Sequence, residues 1–485
     1  MRLYRKEFGY EIENVARSFF PYLEATDEDI DESGTEDRIS QEVRDLGSSL
    51  EYCVRCRYKG IEKSSITIVP KETPVNEKEL KVCRGVYDML SDLLGKAPPW
   101  GVLTGVRPAK RAAEMLMSGL SDKESISKLQ RDWYVSKEKA EIAVESAGAS
   151  IRAKKLTHPG SFSLYVSIPF CPSRCKYCSF VSKTIGSSYS LVDPYIDCLL
   201  RELTYVQQIV SSRALKLETV YVGGGTPTSV SAEQLETLLR GMTGIFDLGT
   251  VKEFTVEAGR PDTITEEKLK VLKEYGVDRI SINPQTGNDR VLRENGRFHT
   301  AKDIENCFAA ARKAGIGNIN ADLIAGLAGD DLESFKKTLS WLCGLDPENI
   351  TVHSLTRKRA ATLRELGEGA CPDVEKMVDY SRCFLREKGY GVYYMYRQKG
   401  TVDGLENTGY CKEGRECLYN IFIMDELHTI VSCGAGGVTK LVDQSSGKIS
   451  RVTNYKYPAE YIDGIESMLE RKDKIDVFYA EHPEA

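Results

Sequence analysis

The sequence predicts an α/β protein whose centre is a partial, open barrel of six βα units, with an α+β segment on each side. From about residue 160 to residue 356, short runs rich in β-branched residues alternate with amphipathic segments of helix length. This alternation is typical of a parallel sheet with crossover helices. Six units instead of eight favour a partial barrel, and we expect its active site at the carboxyl ends of the strands.

Six short runs account for the strands of this barrel. They are SLYVSIPF (from Ser163), LETVYVGG (from Leu217), EFTVEAG (from Glu253), DRISIN (from Asp278), NINADLIAG (from Asn318) and NITVHSL (from Asn349). Between the strands, capping patterns predict helix starts at Thr263–Glu266 and Ser231–Gln234, and Gly276 predicts a helix end.

The segments on either side of the barrel differ from it in composition. The acidic stretch Thr26–Asp45 predicts a solvated loop or helix face. The tail has helical periodicity at Val374–Lys388 and Ala459–Leu469, and strand-like runs at Val392–Arg397 and Thr429–Ser432. We therefore predict three domains: an N-terminal α+β domain of unassigned role (1–155), the barrel (156–360) and a C-terminal α+β extension that covers the substrate (361–485).

Charge and composition exclude several classes of function. The chain has 485 residues, with 66 Lys and Arg against 72 Asp and Glu, so its net charge of −6 is not that of a general nucleic-acid binder. No apolar run is long enough to span a bilayer and the N-terminus has no secretory pattern, which predicts a cytoplasmic protein. In such a protein, fourteen cysteines indicate reduced thiols or metal ligands, and five histidines argue against a histidine-based metal site.

A CxxxCxxC motif, formed by Cys171, Cys175 and Cys178, follows the first strand directly. Three cysteines at this spacing are expected by chance only about 0.01 times in such a chain. Soft thiolates select zinc or an iron–sulfur cluster, and a structural zinc requires a fourth protein ligand that this loop lacks. Three thiolates therefore favour a [4Fe–4S] cluster with one open iron, with zinc or buried free thiols as the alternatives.

A CxxxCxxC loop after the first strand of a partial βα barrel resembles the radical S-adenosylmethionine superfamily. This resemblance implies that the open iron binds the amino and carboxylate groups of the cofactor's methionine part. It also implies that one electron from the reduced cluster breaks a C–S bond, and that the resulting 5′-deoxyadenosyl radical abstracts a hydrogen atom from the substrate.

Further motifs, inside and outside the barrel, resemble the oxygen-independent coproporphyrinogen III oxidase family and its HemZ-like coproporphyrinogen dehydrogenase branch. The motifs are YVSIPFC (Tyr165–Cys171), GGGTPT (Gly223–Thr228), EAGRPD (Glu257–Asp262), DLIAGL (Asp322–Leu327), GVLTGVRPAKR (Gly101–Arg111), HSLTRKRA (His353–Ala360) and YRQKG through LENTGY (Tyr396–Tyr410).

The resemblance implies a set of residues that bind S-adenosylmethionine. Gly224, Gly225 and Thr226 would contact its methionine amino end, with a simple tight turn as the alternative. The other implied contacts are Glu257 and Asp322 (ribose hydroxyls or ammonium group), Gln285, Arg297 (opposite the carboxylate), Tyr177 (beside the adenine) and Tyr165 (near the methionine carboxylate). The alternatives are helix capping for the carboxylates, an exposed cation for Arg297 and core packing for the tyrosines.

The implied reaction is the oxidative decarboxylation of two propionates of coproporphyrinogen III to vinyl groups, which gives protoporphyrinogen IX without oxygen. It requires an electron donor such as flavodoxin or ferredoxin and an unidentified electron acceptor. Five cations are candidates for pairing with the propionates, or else form an ordinary basic face: Arg357, Lys358, Arg359, Arg397 and Lys399.

Two positions depart from the decarboxylase pattern. Phe180 stands where the decarboxylases carry a further cysteine. The haem-chaperone branch shares an aromatic residue at this place, so haem binding is the alternative function. The chaperones' HNxxYW motif is in turn replaced by Glu406–Cys411, with Cys411 as the nearest substitute ligand. A radical methyltransferase acting on haem is a third possibility. Cys53 and Cys56 form a CxxC expected about 0.4 times by chance, to which we assign no function, and Cys433–Gly437 predicts a turn.

Overall fold

A computed structural model of the chain describes residues 1–28, 36–180, 182–356, 373–398 and 404–482. The chain divides into two compact units, residues 1–148 with 395–406, and residues 149–394 with 407–485. Residues 407–485 thus belong to the same unit as the barrel. The division into three domains stays a prediction. No helix among the described residues is both long enough and apolar enough to cross a membrane.

The N-terminal segment forms a five-stranded sheet, in the order β2-β1-β3-β4-β5, with helices beside it. Its elements are β1 (Arg2–Tyr4), α1 (Gly9–Phe19), β2 (Glu24–Thr26), β3 (Arg38–Asp45), β4 (Ser49–Tyr58), β5 (Ile61–Pro70), α2 (Val75–Leu94), α3 (Pro108–Met117), α4 (Asp122–Trp133) and α5 (Lys137–Lys154). The expectation of a solvated loop or helix face was wrong for residues 38–45. They form strand β3, because Ile39 and Gln41 point into the core and alternate with the half-buried Arg38, Ser40 and Glu42.

The barrel segment carries six parallel strands in chain order, as predicted. The strands are β6 (Ser161–Ile168), β9 (Lys216–Gly224), β10 (Glu253–Glu257), β11 (Arg279–Ser281), β12 (Asn318–Ala325) and β13 (Asn349–Ser354), and a short pair β7 (Phe170–Cys171) and β8 (Lys183–Thr184) follows β6. The helices are α6 (Ile185–Ser188), α7 (Val192–Ser212), α8 (Ala232–Ile245), α9 (Glu266–Glu274), α10 (Asp289–Glu294), α11 (Ala301–Lys313) and α12 (Leu332–Gly344).

Alternation along these strands separates the core from the site. Leu164, Val220 and Val256 are completely buried core side chains, 0% exposed, on three neighbouring strands. Because side chains alternate between the two faces of a strand, Tyr165 and Tyr221 project from the opposite face, where they pair across β6 and β9. The strand residues Glu257 and Asp322 lie on the same face as these two tyrosines.

One predicted helix start is confirmed and one is wrong. Ser231 and Gln234 form the expected capping box at the start of α8. In contrast, α9 is capped by Thr265, whose side chain accepts from the Lys268 amide. Thr263 instead lies in a short 3-10 turn, where its hydroxyl donates to the Arg260 carbonyl.

The C-terminal segment extends the sheet of the barrel at both edges, so that the sheet has eleven strands. At one edge β15 (Glu406–Cys411) pairs antiparallel with β13, and β14 (Gly391–Arg397) lies beside it. At the other edge β16 (Thr429–Cys433) pairs parallel with β6, followed by β17 (Val438–Val442) and β18 (Ile449–Thr453). Four helices complete the segment: α13 (Val374–Glu387), α14 (Leu418–Asp425), α15 (Pro458–Asp463) and α16 (Ile465–Glu481).

The tail's predicted elements are present, with one refinement. The helical run at Ala459–Leu469 is two helices, α15 and α16, separated at Gly464. The turn predicted at Cys433–Gly437 is confirmed, and its amides from Gly434 onward donate within the protein, to Glu202, Tyr195 and two backbone carbonyls. This loop has no amide left for a phosphate.

Candidate functional site

The cysteine loop lies at the carboxyl end of β6. Cys171 ends the short strand β7, and the Cys178 amide donates to the Cys175 carbonyl at 3.2 Å. Burial raises the pKa of the Cys178 thiol, and the neighbouring Cys175 and Cys171 thiols raise it further. Among the described residues, no three Cys, His, Asp or Glu side chains stand in a ready metal-binding arrangement. The assignment of these three thiols as cluster ligands therefore stays our prediction, based on their residue type and spacing.

Two side chains donate hydrogen bonds to the cysteine loop. The Thr226 hydroxyl lies 3.6 Å from the Cys171 sulfur, and the buried Arg260 guanidinium lies 3.6 Å from the Cys175 sulfur and 3.0 Å from the Ser173 hydroxyl. A cation and a hydroxyl beside these sulfurs stabilise thiolates, which are the metal-binding form of cysteine. Arg260 was not among the predicted site residues. The sequence feature that could have indicated it is its position, three residues after the carboxyl end of β10.

The glycine run packs against the same loop. A Cβ atom on Gly225 would lie 2.5 Å from the Phe170 carbonyl oxygen and 3.0 Å from the Cys171 sulfur. Gly224 has a φ of 112°, in the region that favours glycine. The backbone here also holds the loop, because the Gly225 amide donates to Ile168 at 2.9 Å and the Thr226 amide to Phe170 at 2.7 Å. The run is thus a cradle for the cysteine loop as well as a turn.

Glu257 is a strongly perturbed carboxyl group at the end of β10. The Tyr221 hydroxyl donates to it at 2.7 Å. Burial raises the pKa of Glu257 to about 7, and the nearby Asp322 carboxylate also raises it, against the opposing hydrogen bonds of Tyr221 and the Gly224 amide. A buried carboxyl group of this kind ionises most readily when a cation lies beside it.

Asp322 lies on β12 and faces the same region. Its Oδ1 accepts from the Asn320 amide at 2.8 Å, and its Oδ2 lies 3.9 Å from Nε2 of His353. Among the described residues, no helix amide donates to Asp322 or Glu257, which argues against the capping alternative for both carboxylates.

Gln285 follows β11 and bridges to β12 through its backbone. Its amide donates to the Asp322 carbonyl at 2.9 Å, and its φ is 68°. The side chain is 8% exposed, and within the described part of the chain its Oε1 atom has no hydrogen-bond partner. A buried acceptor without a partner is costly, so this atom marks a place that a ligand would complete.

Arg297 is buried and faces inward, which excludes the exposed-cation alternative. It is 4% exposed and donates to the Gly259 carbonyl at 2.9 Å and the Asn283 carbonyl at 2.6 Å. It also donates to the hydroxyl of Tyr177 at 3.3 Å, while its Nε has no partner among the residues that the structure describes. Arg297 thus links the cysteine loop to the ends of two strands, and one of its donors is available to an anionic ligand.

Tyr165 belongs to a stack of three tyrosines. Its ring centroid lies 6.2 Å from those of Tyr221 and Tyr419, which are themselves 4.5 Å apart. Tyr419 comes from α14, far along the chain, and no local sequence signal indicated it. The stack is consistent with core packing for Tyr165, and its predicted contact with the cofactor stays a prediction.

The structure thus gathers most of the predicted residues at one edge of the sheet. The thiols, glycine cradle, two carboxylates and Arg297 all come from the carboxyl ends of strands or the loops that follow them, with orphaned polar atoms among them. This donor set fits an iron–sulfur cluster with S-adenosylmethionine. When bound, that pair supplies a strongly reducing electron and a carbon radical.

Of the five cations predicted to pair with the substrate's propionates, Arg397 is the one that lies among the described residues. Arg397 donates to the carbonyls of Leu103 at 2.6 Å and Gly404 at 2.8 Å, and its guanidinium lies 5.5 Å from the Trp100 ring centroid. Burial lowers the pKa of Arg397 to about 10. These contacts lie inside the first unit and argue against pairing with a propionate. Arg357, Lys358, Arg359 and Lys399 lie outside the described residues.

The positions that depart from the decarboxylase pattern are also resolved. Phe180 is 68% exposed, directly after the cysteine loop. Glu406 is completely buried, and its carboxylate accepts from Lys139 and Trp100, each at 2.8 Å. Cys411 is 5% exposed on β15.

Comparisons with known proteins agree with this site. The profile of the radical SAM superfamily matches residues 165–342. The chain is 37% identical over 394 residues to the oxygen-independent coproporphyrinogen-III oxidase-like protein HemZ of Bacillus subtilis, which covers 80% of this chain and 79% of that protein. It is 31% identical over 321 residues to the heme chaperone HemW of Haemophilus influenzae, covering 65% and 79%.

A solved structure, the coproporphyrinogen III oxidase HemN of Escherichia coli, has the same fold. It matches with a TM-score of 0.53 at 21% identity, over 66% of this chain and 72% of that one. The chain therefore belongs to the radical S-adenosylmethionine superfamily, within the family that contains HemZ and HemW. This confirms the predicted α/β fold with a partial barrel and the two predicted cofactors, a [4Fe–4S] cluster and S-adenosylmethionine.

Proposed function

We propose that this protein catalyses the oxygen-independent oxidative decarboxylation of coproporphyrinogen III to protoporphyrinogen IX. In each of two propionates, a hydrogen atom leaves the β-carbon to the cofactor-derived radical. Carbon dioxide and one electron then leave, and a vinyl group remains. The balance requires an external donor for the cluster electron and an acceptor for the substrate electron.

We assign the chain's residues as follows in this reaction. Cys171, Cys175 and Cys178 would hold the cluster, and Gly224, Gly225 and Thr226 would bind the methionine amino end of S-adenosylmethionine. Glu257 and Asp322 would accept from its ribose or ammonium group, while Gln285, Arg297 and Tyr177 would bind its remaining polar and adenine parts. The orphaned atoms of Gln285 and Arg297 support this assignment.

One observation favours the enzyme over the haem chaperone: the strand that replaces the chaperones' haem motif offers no exposed axial ligand. In β15, Glu406 is held by a buried lysine and a tryptophan, and Cys411 lies inside the sheet. A haem iron needs a donor side chain that it can reach. The donor side chains of this strand, Glu406, Tyr410 and Cys411, are all buried.

The haem chaperone is the second candidate, and Phe180 is the observation that favours it. The decarboxylases carry a cysteine at this place, whereas Phe180 presents an exposed apolar ring beside the cysteine loop. The alignment with the heme chaperone HemW of Haemophilus influenzae covers as large a share of that protein as the alignment with HemZ covers of HemZ.

An anaerobic assay distinguishes the candidates. Cluster-loaded protein is mixed with coproporphyrinogen III, S-adenosylmethionine and a reductant, and products are identified by mass spectrometry. We expect two carboxyl groups to be lost, and Cys411→Ser to leave turnover unchanged. Stoichiometric haem binding that Cys411→Ser removes, with 5′-deoxyadenosine formed but no carboxyl lost, would favour the chaperone. A methylated haem product would favour the methyltransferase. Cys171→Ala is the inactive control.

A further inference from the structure

The sheet of the N-terminal segment has one short edge and one long edge. The edge strand β2 has three residues, whereas the other edge strand, β5, has ten. Strand β5 pairs with β4 without a break, from Ile61 opposite Tyr58 to Pro70 opposite Ser49. Among the described residues, no strand pairs with the outer side of β5. Its backbone groups on that side are therefore available to another strand.

The sequence of β5 lacks the usual protection of an open edge. Residues 64–69, SSITIV, contain no charge, proline or glycine, and four of the six are β-branched. Ile66 and Ile68, which lie on the same face of the strand, are 61% and 57% exposed. Lys63 is paired with Asp92 of α2. Proteins usually interrupt such an edge with charges, proline or a bulge, so an uninterrupted apolar edge indicates that a further strand covers it.

Helix α2 lies along this edge, with its centre level with Ile66. A Cβ atom on Gly85 would collide with the Ser65 hydroxyl and would lie 2.9 Å from the Thr67 hydroxyl. Gly85 thus marks the closest approach of the helix to the strand, at the residues on either side of Ile66.

Opposite charges lie at equal distances from this centre. Lys78 and Asp92 are each seven residues from Gly85, which is about two helical turns, so they lie on the same side of α2. That side faces β5, since Nζ of Lys78 donates to the Lys71 carbonyl at 2.7 Å and Asp92 pairs with Lys63. The edge therefore has a cation towards one end and an anion towards the other.

We propose that β5 and α2 form the interface of a symmetric dimer, in which β5 pairs antiparallel with β5 of a second copy of this chain about a two-fold axis at Ile66. In this register Ile66 lies opposite Ile66 of the second copy and diagonal to its Ile68, so the isoleucines of both copies form one cluster. The same axis brings Lys78 to Asp92 of the second copy, and Asp92 to its Lys78.

A second copy is the partner because the edge is complementary to itself. A two-fold axis reverses the direction of both the strand and the helix, so the cation of one copy meets the anion of the other twice. The inference does not depend on the decarboxylation proposed above.

The test is the mass of the full chain in solution, measured by analytical ultracentrifugation over a range of protein concentrations. We expect twice the mass of one chain for the wild type. Ile66→Lys places two like charges opposite each other at the axis and should raise the dissociation constant at least about tenfold. The matched control is Met117→Lys on α3, where an apolar side chain of similar exposure, 64%, is replaced away from the edge. Both variants should unfold at the wild-type midpoint, because both side chains are exposed.

A charge exchange tests the register. Asp92→Lys would face Lys78 of the second copy, and we expect the dissociation constant to rise about tenfold. Adding Lys78→Asp restores an opposite pair at both places and should recover the wild-type value. A variant weakened only by damage to its own fold would not be rescued by a second reversal.

Four results would overturn the proposal. A wild-type monomer at every concentration would show that the edge is not used by a second copy. A dimer that Ile66→Lys leaves intact would show that the copies meet elsewhere. Open-ended polymers in place of dimers would exclude the two-fold axis. A failed rescue by the double charge exchange would show that the register is wrong.

Discussion

Replacing Glu257 with glutamine tests whether the most perturbed carboxyl of the site binds the cofactor. The pKa of Glu257 is raised from 4.5 to about 7, which corresponds to a cost of roughly 3 kcal/mol for ionising it in the folded protein without ligand. A carboxylic acid with a raised pKa is protonated in the folded state up to about pH 7. The ligand-free protein therefore loses this stability as the pH rises from about 4.5 to about 7, whereas Glu257→Gln does not.

Cofactor binding reverses the preference of Glu257 for its protonated form, because the cationic cofactor stabilises the carboxylate. Below about pH 7 binding must release a proton, so we expect the affinity for S-adenosylmethionine to rise about tenfold between about pH 6 and about pH 8, and then to level off. In Glu257→Gln we expect the pH dependence to vanish and the affinity at pH 8 to fall by about one to two decades, the cost of about 1–3 kcal/mol for a lost buried partner.

The assay is equilibrium binding of S-adenosylmethionine to cluster-loaded protein across this pH range. Glu266→Gln is a suitable control, because Glu266 is an exposed carboxyl on the outer helix α9 whose pKa is lowered by Lys313. If Glu257→Gln binds the cofactor with wild-type affinity and the same pH profile, Glu257 only holds Tyr221 in place and its assignment is wrong.

Three further predictions concern the cluster loop and the first unit. Alanine at Cys171, Cys175 or Cys178 should each abolish the EPR signal of the reduced cluster, while Cys53→Ala, in the buried strand β4, should preserve it; the opposite pattern would refute the ligand assignment. Gly225→Ala should lower the bound iron per chain, because its Cβ would collide with the Phe170 carbonyl, whereas Gly244→Ala in α8 has open space and should retain full iron; equal iron in both would contradict the cradle. Glu406→Gln should destabilise the first unit by about 3–5 kcal/mol in urea unfolding, since it leaves the charge of the buried Lys139 uncompensated. Adding Lys139→Met should recover part of this loss, and an unchanged unfolding midpoint in Glu406→Gln would show that the ion pair is dispensable.

The parts of the fold that the sequence could predict were those with local signals. The six barrel strands and the Ser231 cap each depend on residues within a few positions of one another. The Thr263 cap was wrong because Thr265, two residues on, supplies an equally suitable hydroxyl, and the choice between them depends on how Pro261 and Arg260 turn the chain.

The site shows the same division. Cys171, Gly225 and Glu257 were recognisable because they follow strands in motifs, and the edge of a parallel sheet brings such positions together. Arg260 and Tyr419 were not, since their roles depend on which side chains they meet across the fold. The strand at residues 38–45 was missed because its charged positions face solvent and hide the alternation of Ile39 and Gln41.

The pairing of β16 with β6 has a consequence for how the chain folds. Strand β6 begins at residue 161, yet one of its two neighbours is not synthesised until residues 429–433. Until then, β6 is an edge strand with unpaired backbone groups, and such edges are prone to mispairing during synthesis. A chain ended by a premature stop before β16 would retain every cysteine of the loop but leave the strand beneath it open on one side. Such truncated products should aggregate, even though they contain the whole of the superfamily's matched region.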